Sequence, residues 1–199
     1  MIVLFCPSTT LPIQLLNKSM RTTLKQRILR ITWLGAFALA QAPAWSAQTY
    51  CNLPEHRQMD FWAGNWEARD ANGVLLGLQH VERIERDCVL QEWWRGEGED
   101  NGAGTSLSTY DQKRKLWNHT WMSVRGNLLS IDGNWNGQAM VMTGYYTNAQ
   151  GQRELHRTVW KPLADGRVHH LWDSSVDGGV TWNVIHEAWL AKTDRPVAK

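Results

Sequence analysis

Helical periodicity is nearly absent after Gly64, and the chain instead runs in short segments in which apolar and polar residues alternate. Gly, Asn and Asp separate these segments at short intervals. Alternation with a period of two is typical of a strand with one buried face, and closely spaced turn residues favour hairpins. We predict ten strands, at 65–70, 74–84, 87–95, 104–111, 114–123, 127–133, 138–146, 152–160, 166–174 and 181–190.

Closure of these strands into a barrel is the expected arrangement. Consecutive antiparallel hairpins of this number tend to close, because closure removes the exposed edges of an open sheet. The sequence therefore predicts an all-β domain, an antiparallel up-and-down meander closed into a roughly ten-stranded β-barrel. His56, Met59 and Trp62 stand at helical spacing and predict one short helix within residues 52–62. We expect Phe61 and Trp62 to plug one end of the barrel.

Residues 1–46 have the order of a secretory signal peptide. A basic region is followed by an apolar stretch over 31–40 and by Ala42-Pro43-Ala44, which fits a cleavage site. Met20 directly precedes the basic region, so we predict that translation starts there and that residues 47–199 form a single barrel domain. The protein is then exported, periplasmic or extracellular, without stable membrane insertion after cleavage. An uncleaved N-terminal anchor is the alternative.

The net charge argues against nucleic acid as a partner. The whole chain carries 21 Lys and Arg and 19 Asp and Glu. Residues 1–46 contain five of the basic residues and no acidic ones, so 16 basic and 19 acidic residues remain, a net charge of −3. No basic stripe is left to follow a phosphate backbone. A small molecule is the predicted partner.

The cysteines of the predicted mature chain predict a disulfide. Cys51 and Cys88 are the two that remain once the leader, with Cys6, is removed. Two cysteines in an oxidising compartment commonly pair. A Cys51–Cys88 bridge would tie the N-terminal segment to the third strand. Two free buried thiols are the alternative.

The first hairpin carries the turn sequence Ala71-Asn72-Gly73. A three-residue loop with glycine in the left-handed position sets Trp66 opposite Leu78 and Ala68 opposite Leu76. This register places apolar side chains on one face, as a buried face requires. A two-residue Asn-Gly turn is the alternative.

A second hairpin matches the Asp-box pattern Ser-x-Asp-x-Gly-x-Thr-Trp over residues 175–182. The aspartate of such a turn accepts backbone N–H bonds, so a structural role is expected. A turn centred on Gly178 places His170 opposite His186 and Trp172 opposite Val184.

Aromatic strand faces with polar side chains among them favour a small-molecule cavity. Glu92 shares an apolar face with Trp94, which is expected to raise its pKa and makes it the best acid–base candidate. A salt bridge between Glu92 and Arg157 is the alternative. We predict no cofactor and no metal site. The predicted ligand-binding residues are Glu92, Trp94, His119, Trp121, His170, Trp172 and His186.

Several motifs share one resemblance. They are Asp60-Phe61-Trp62-Ala63-Gly64-Asn65-Trp66, Asp87-Cys88-Val89-Leu90-Gln91-Glu92-x-Trp94, Gly104-Thr105-Ser106-Leu107, Tyr110-Asp111, Trp117-x-x-Thr120-Trp121 and the hairpin at 175–182. Together they resemble the motifs of a bacterial family of exported domains of unknown function. The resemblance covers about residues 51–190 and implies a small antiparallel barrel similar to lipocalins and other calycins. It implies no catalytic residues. Met122-Ser123 departs from the family pattern, in which a small apolar residue precedes an aspartate.

Three functions are compatible with these features. The first is binding of a small apolar or amphipathic ligand in an aromatic-lined barrel. The second is an enzyme that uses Glu92 or a histidine as acid or base in the same cavity. The third is a structural or interaction module with a packed interior.

Overall fold

The computed structural model describes residues 50–98 and 102–197, so the predicted leader and the start at Met20 lie outside the described residues. Ten antiparallel strands follow one another around a closed barrel, which confirms the predicted up-and-down fold. The first strand closes the barrel by pairing with the last. The strands are β1 (Gly64–Arg69), β2 (Leu75–Ile84), β3 (Val89–Gly96), β4 (Ala103–Asp111), β5 (Leu116–Ser123), β6 (Leu128–Trp135), β7 (Met140–Thr147), β8 (Arg153–Pro162), β9 (Val168–Ser175) and β10 (Asn183–Lys192).

Alternate residues of each strand point into the barrel, as the period of two predicts. In β8, for example, His156, Thr158 and Trp160 are buried, whereas Arg157 and Val159 are only half-buried. No helix among the described residues has the length and apolar character needed to cross a membrane.

Two glycines of the inner wall make room for tryptophan rings. A Cβ atom at Gly104 would lie 2.4 Å from Cζ2 of Trp121, and one at Gly77 would lie 2.7 Å from Cζ2 of Trp94. These distances are far below ordinary carbon–carbon contact. The missing side chains therefore let both indole rings lie against the neighbouring strand.

The N-terminal segment plugs one end of the barrel, as predicted. It forms two short 3₁₀ helices, Pro54–Arg57 and Asp60–Trp62, rather than the one helix expected. Met59 and Trp62 are fully buried, and the Trp62 ring lies 5.3 Å from the ring of Trp160. The barrel interior thus accepts aromatic side chains from outside the sheet. Phe61 is only half-buried and packs against Trp135.

A disulfide joins Cys51 to Cys88, which confirms the predicted pairing. Their Cα atoms lie 5.2 Å apart. Cys51 precedes the plug, and Cys88 ends the turn that leads into β3. The bridge therefore anchors the plug segment to the wall of the barrel.

The register predicted for the first hairpin is wrong beyond its turn. The three-residue loop forms, because Asp70 N donates to Val74 O at 3.0 Å. A bulge between Ala68 and Arg69 then shifts the pairing by one residue. Trp66 consequently pairs with Gln79 and Ala68 with Gly77, not with Leu78 and Leu76.

The register of the second hairpin differs from its prediction by two residues. Val184 pairs with Asp173 instead of Trp172, and a bulge between Val184 and His186 shifts the pairing by one more residue. His186 therefore pairs with Trp172, and His170 pairs with Ala188. The two histidines are diagonal neighbours instead of a directly opposed pair, with ring centroids 5.4 Å apart.

The Asp-box hairpin has the hydrogen bonds that its sequence predicts. Asp177 Oδ1 accepts from the backbone N–H groups of Val180 at 3.0 Å and Thr181 at 2.9 Å. Its other oxygen accepts from Thr181 Oγ1 at 2.6 Å. Trp182 donates from Nε1 to Gly179 O at 2.9 Å. These contacts account for the motif as local structure.

Candidate ligand-binding site

A cavity of about 430 Å³ occupies the half of the barrel that the plug does not fill. Its mouth is formed by Gly102, Val124, Arg125 and Ile185, which lie at or beside the β3–β4, β5–β6 and β9–β10 turns. In an up-and-down barrel these turns lie at the end opposite the start of β1. The plug thus closes the cavity at the end where β1 starts, and the cavity opens at the opposite end. Its volume falls within the range of small-molecule pockets.

The structure brings all seven predicted binding residues to this one cavity. They come from four strands, β3, β5, β9 and β10, whose inward faces meet across the barrel. The residues are Glu92, Trp94, His119, Trp121, His170, Trp172 and His186. A fully packed interior, expected of a purely structural module, does not agree with this cavity.

Glu92 lies in the wall and is held by two protein donors. Gln79 donates from Nε2 to Glu92 Oε1, and Ser106 Oγ donates to Oε2 at 2.6 Å. Trp62 donates from Nε1 to Gln79 Oε1 at 3.3 Å, which fixes the orientation of the Gln79 amide because an indole N–H only donates. A hydrogen-bonded chain therefore runs from the plug to the carboxyl group.

Burial raises the pKa of Glu92, although the hydrogen bonds from Ser106 and Gln79 oppose the shift. Since Gln79 must donate to Oε1, a proton on the neutral acid belongs on Oε2, and Ser106 Oγ then accepts from Oε2 instead of donating to it. The alternative role for Glu92, a salt bridge with Arg157, is wrong. Arg157 points outward and pairs with Asp173, whose Oδ2 lies 2.5 Å from Arg157 Nη2. The ring of Trp182 covers the Arg157 guanidinium, with the ring centroid 4.0 Å from Cζ.

The buried histidines of the cavity are held in the neutral form. Burial lowers the pKa of His119 to about 3, and Ser108 Oγ lies 2.8 Å from its Nδ1. Burial likewise lowers the pKa of His186 and, together with the neighbouring histidines, that of His170. These rings consequently present neutral donor or acceptor nitrogens to the cavity.

His156 has a defined tautomer. Trp172 donates from Nε1 to His156 Nδ1 at 2.9 Å. Because the indole nitrogen only donates, Nδ1 must be unprotonated and the neutral ring carries its hydrogen on Nε2. Burial lowers the pKa of His156, against the influence of Glu154.

Three buried polar atoms of the described cavity wall have no hydrogen-bond partner: Nε1 of Trp160, Nε2 of His170 and Nε2 of His156. Nε2 of His156 still lies 3.3 Å from Glu154 Oε2, whereas the nitrogen atoms of Trp160 and His170 have no such neighbour among the described residues. The two rings stack almost in parallel, with centroids 5.1 Å apart and planes at 9°. A buried polar atom without a partner costs about 1–3 kcal/mol, so a ligand that supplies the partner gains affinity at this place.

The histidines do not assemble into a metal site. Among residues 50–98 and 102–197, no group of three His, Cys, Asp or Glu side chains is arranged to hold a metal ion. The arrangement can instead supply aromatic contact, neutral hydrogen-bonding nitrogens and one carboxylic acid.

We expect the His119→Gln variant to show a weaker loss of stability in acid. Folded His119 stays neutral down to about pH 3, whereas the unfolded residue binds a proton near its ordinary pKa of 6.5. Between these values the unfolded state binds more protons, so the free energy of unfolding falls as the pH falls. One such proton contributes about 1.4 kcal/mol per pH unit. Urea titrations from pH 7 to pH 4 measure the slope.

Glu92 acts with the opposite sign, because its raised pKa makes the folded state hold a proton that the unfolded state has lost. Its contribution to stability is lost as the pH rises through the folded pKa. The contribution of Glu92 is the same in both proteins. The difference between wild type and His119→Gln in the slope of unfolding free energy against pH therefore reports His119. Identical slopes would contradict a neutral, buried His119.

Sequence reasoning missed several residues of the wall, although two carried a usable signal. His156 and Trp160 share the inward face of β8 with Thr158, in a pattern like that of His119 and Trp121. Gln79 gave no such signal, because a polar residue between Leu78 and His80 indicates an outward face until the bulge is known. Tyr146, near the end of β7, also lines the cavity.

Comparison with known proteins suggests no function for this chain, so the proposed function rests on the geometry of the site. No protein-family model and no curated protein matches this chain.

Proposed function

We propose that this protein binds a small amphipathic molecule inside the barrel. The cavity beside the plug supports the proposal, because its wall combines aromatic rings with neutral polar groups. Ligand pockets are mainly apolar and carry a few convergent polar groups that orient the ligand. The wall of this cavity contains both the apolar surface and the convergent polar groups.

The aromatic part of the wall supplies contact area. Trp94 packs edge-on against His186 with centroids 5.5 Å apart, and Trp172 lies 5.8 Å from His156. Trp121 is only half-buried, so part of its ring faces the cavity. Rings that are fixed by their neighbours lose little conformational entropy when a ligand binds.

The polar groups of the wall favour an amphipathic ligand over a purely apolar one. Glu92, Trp160 and His170 bring a carboxyl group, an indole N–H and an imidazole nitrogen to the same cavity. A hydrocarbon would leave the unpartnered nitrogen atoms of Trp160 and His170 unsatisfied. A ligand with at least one polar group removes that cost.

Export is part of the proposal. The Cys51–Cys88 disulfide supports it, because stable disulfides are found mainly in oxidising compartments. The predicted signal peptide points the same way.

We expect N-phenyl-1-naphthylamine, a neutral dye that fluoresces in apolar surroundings, to bind the wild-type protein saturably. The Trp121→Ala variant is expected to weaken this binding about tenfold, a loss of about 1.4 kcal/mol, because it removes one of the indole rings that line the cavity. Dye fluorescence titrations measure both affinities. The matched control is Trp189→Ala, which removes a half-buried tryptophan from the outer face of β10.

The control variant should bind the dye as the wild type does. Equal affinities for wild type and Trp121→Ala, with both proteins folded by circular dichroism, would place the dye outside the barrel and contradict the proposal. No saturable binding to the wild type would contradict it as well.

A further inference from the structure

We propose that the cavity selects neutral, planar aromatic molecules that carry a hydrogen-bond acceptor, such as a carbonyl oxygen, over alkyl-chain amphiphiles. This inference rests on the proposed binding function and gives the chemical class of its ligand. Three observations carry it: the aromatic composition of the wall, the unpartnered donor in it, and the absence of a charged partner within the depth of the cavity among the residues that the structure describes.

The wall is built from flat rings rather than from aliphatic side chains. The wall includes the stacked pair of Trp160 and His170 and the edge-to-face pair of Trp94 and His186. Within the wall, Leu129 is the buried aliphatic side chain that lines the cavity, whereas Val124 and Ile185 stand at the mouth. Aromatic rings pair with other rings in offset or edge-to-face contacts worth about 0.5–1.5 kcal/mol beyond the buried area.

The unpartnered Trp160 Nε1 defines the polar group of the ligand. An indole nitrogen only donates, so its partner must be an acceptor. Trp160 lines the cavity, and its Nε1 is buried there beside the ring of His170. A carbonyl in the plane of an aromatic ring presents such an acceptor at the ring edge, whereas an alkyl chain has none along its length. His170 Nε2, on the adjacent ring, donates in one of its two neutral tautomers.

The depth of the cavity disfavours a charged head group. Among the described residues that line it, Tyr146 and Arg125 lie near the mouth, and the other titratable side chains are Glu92, His119, His156, His170 and His186. Burial drives each of these others towards its neutral form. A charge without a counter-ion or hydrogen bonds is costly to bury. Arg125 is the cation nearest the cavity among the residues that line it, but it stands at the mouth and already has an interaction of its own.

The test compares three competitors of the bound dye N-phenyl-1-naphthylamine. Coumarin is a neutral planar bicycle with a carbonyl, naphthalene has the same ring size without an acceptor, and decanoate is an alkyl amphiphile. We expect coumarin to displace the dye at a concentration about tenfold lower than either of the others, the effect of one well-placed hydrogen bond to a buried donor. Decanoate acting as well as coumarin, or naphthalene acting as well as coumarin, would overturn the inference.

The Trp160→Phe variant keeps an aromatic ring and removes the donor. We expect it to bring the affinity ratio of coumarin to naphthalene close to one. An unchanged ratio in a folded variant would refute the role of Trp160 Nε1. Trp189→Phe, on the outer face, is the matched control and should keep the wild-type ratio.

The result also separates this inference from the proposed function. If the dye binds in the barrel but coumarin has no advantage, only the ligand class is wrong. If neither the dye nor any competitor binds, both are overturned. The wild-type comparison requires no variant, so it decides the question even if Trp160→Phe fails to fold.

Discussion

Replacement of Trp62 by alanine is expected to lower the free energy of unfolding by about 3–5 kcal/mol, the usual cost of deleting a large buried aromatic side chain. Trp62 is fully buried at the end of the barrel and contacts the rings of Trp160 and His119. Its loss opens a cavity and also leaves the amide oxygen of Gln79 without its donor. Urea unfolding followed by circular dichroism measures the change.

Two further variants separate these contributions. Trp62→Phe retains most of the ring but removes the N–H group, so we expect a smaller loss, about 1–3 kcal/mol. Trp189→Ala removes a half-buried tryptophan from the outer face and should cost about 1 kcal/mol. If Trp62→Ala costs no more than Trp189→Ala, the plug does not contribute to the stability of the barrel.

Loss of the disulfide is the second change with a large expected effect. The free energy of unfolding of the Cys51→Ser, Cys88→Ser double variant should be roughly 3–4 kcal/mol lower than that of the wild type. The bridge joins residues 37 positions apart, and it restricts the unfolded chain by closing the loop between them. The same bridge holds the segment that carries Trp62. Urea unfolding of the wild type with and without dithiothreitol should reproduce the difference.

The double variant is its own control in this experiment. Dithiothreitol should leave its unfolding unchanged, since it has no bridge to reduce. If reduction of the wild-type protein shifts the urea midpoint by no more than it shifts that of the double variant, the bridge adds nothing to stability.

The number, order and closure of the strands could be predicted because each depends on local signals. Alternation fixes where strands lie, and Gly73 and Gly178 adopt the positive φ angles, 81° and 76°, that mark their turns. Register could not be predicted, since it depends on bulges. Neither the bulge beside Ala68 nor the one after Val184 has a distinctive sequence, and each shifts the pairing by one residue.

The candidate site was less sensitive to these errors than the hairpins were. Glu92, His119 and Trp121 lie on strands whose alternation is unbroken, so their inward direction follows from the pattern alone. His186 still faces His170, because the turn and the bulge together shift the pairing by two residues, which keeps His186 on the same face at a diagonal position. The unpartnered Trp160 nitrogen could not be predicted, as a missing hydrogen bond depends on the positions of all neighbouring strands.

The division of the barrel into a plugged half and a hollow half has a consequence for how such a protein evolves. The tightly packed residues, such as Met59, Trp62 and Leu190, lie towards the plugged end, whereas Val124, Arg125 and Ile185 at the mouth touch the cavity without being part of the buried core. Substitutions that redirect a binding site usually cost stability when core and site share residues. Here the mouth can diversify its ligand preference while the opposite end keeps the fold intact.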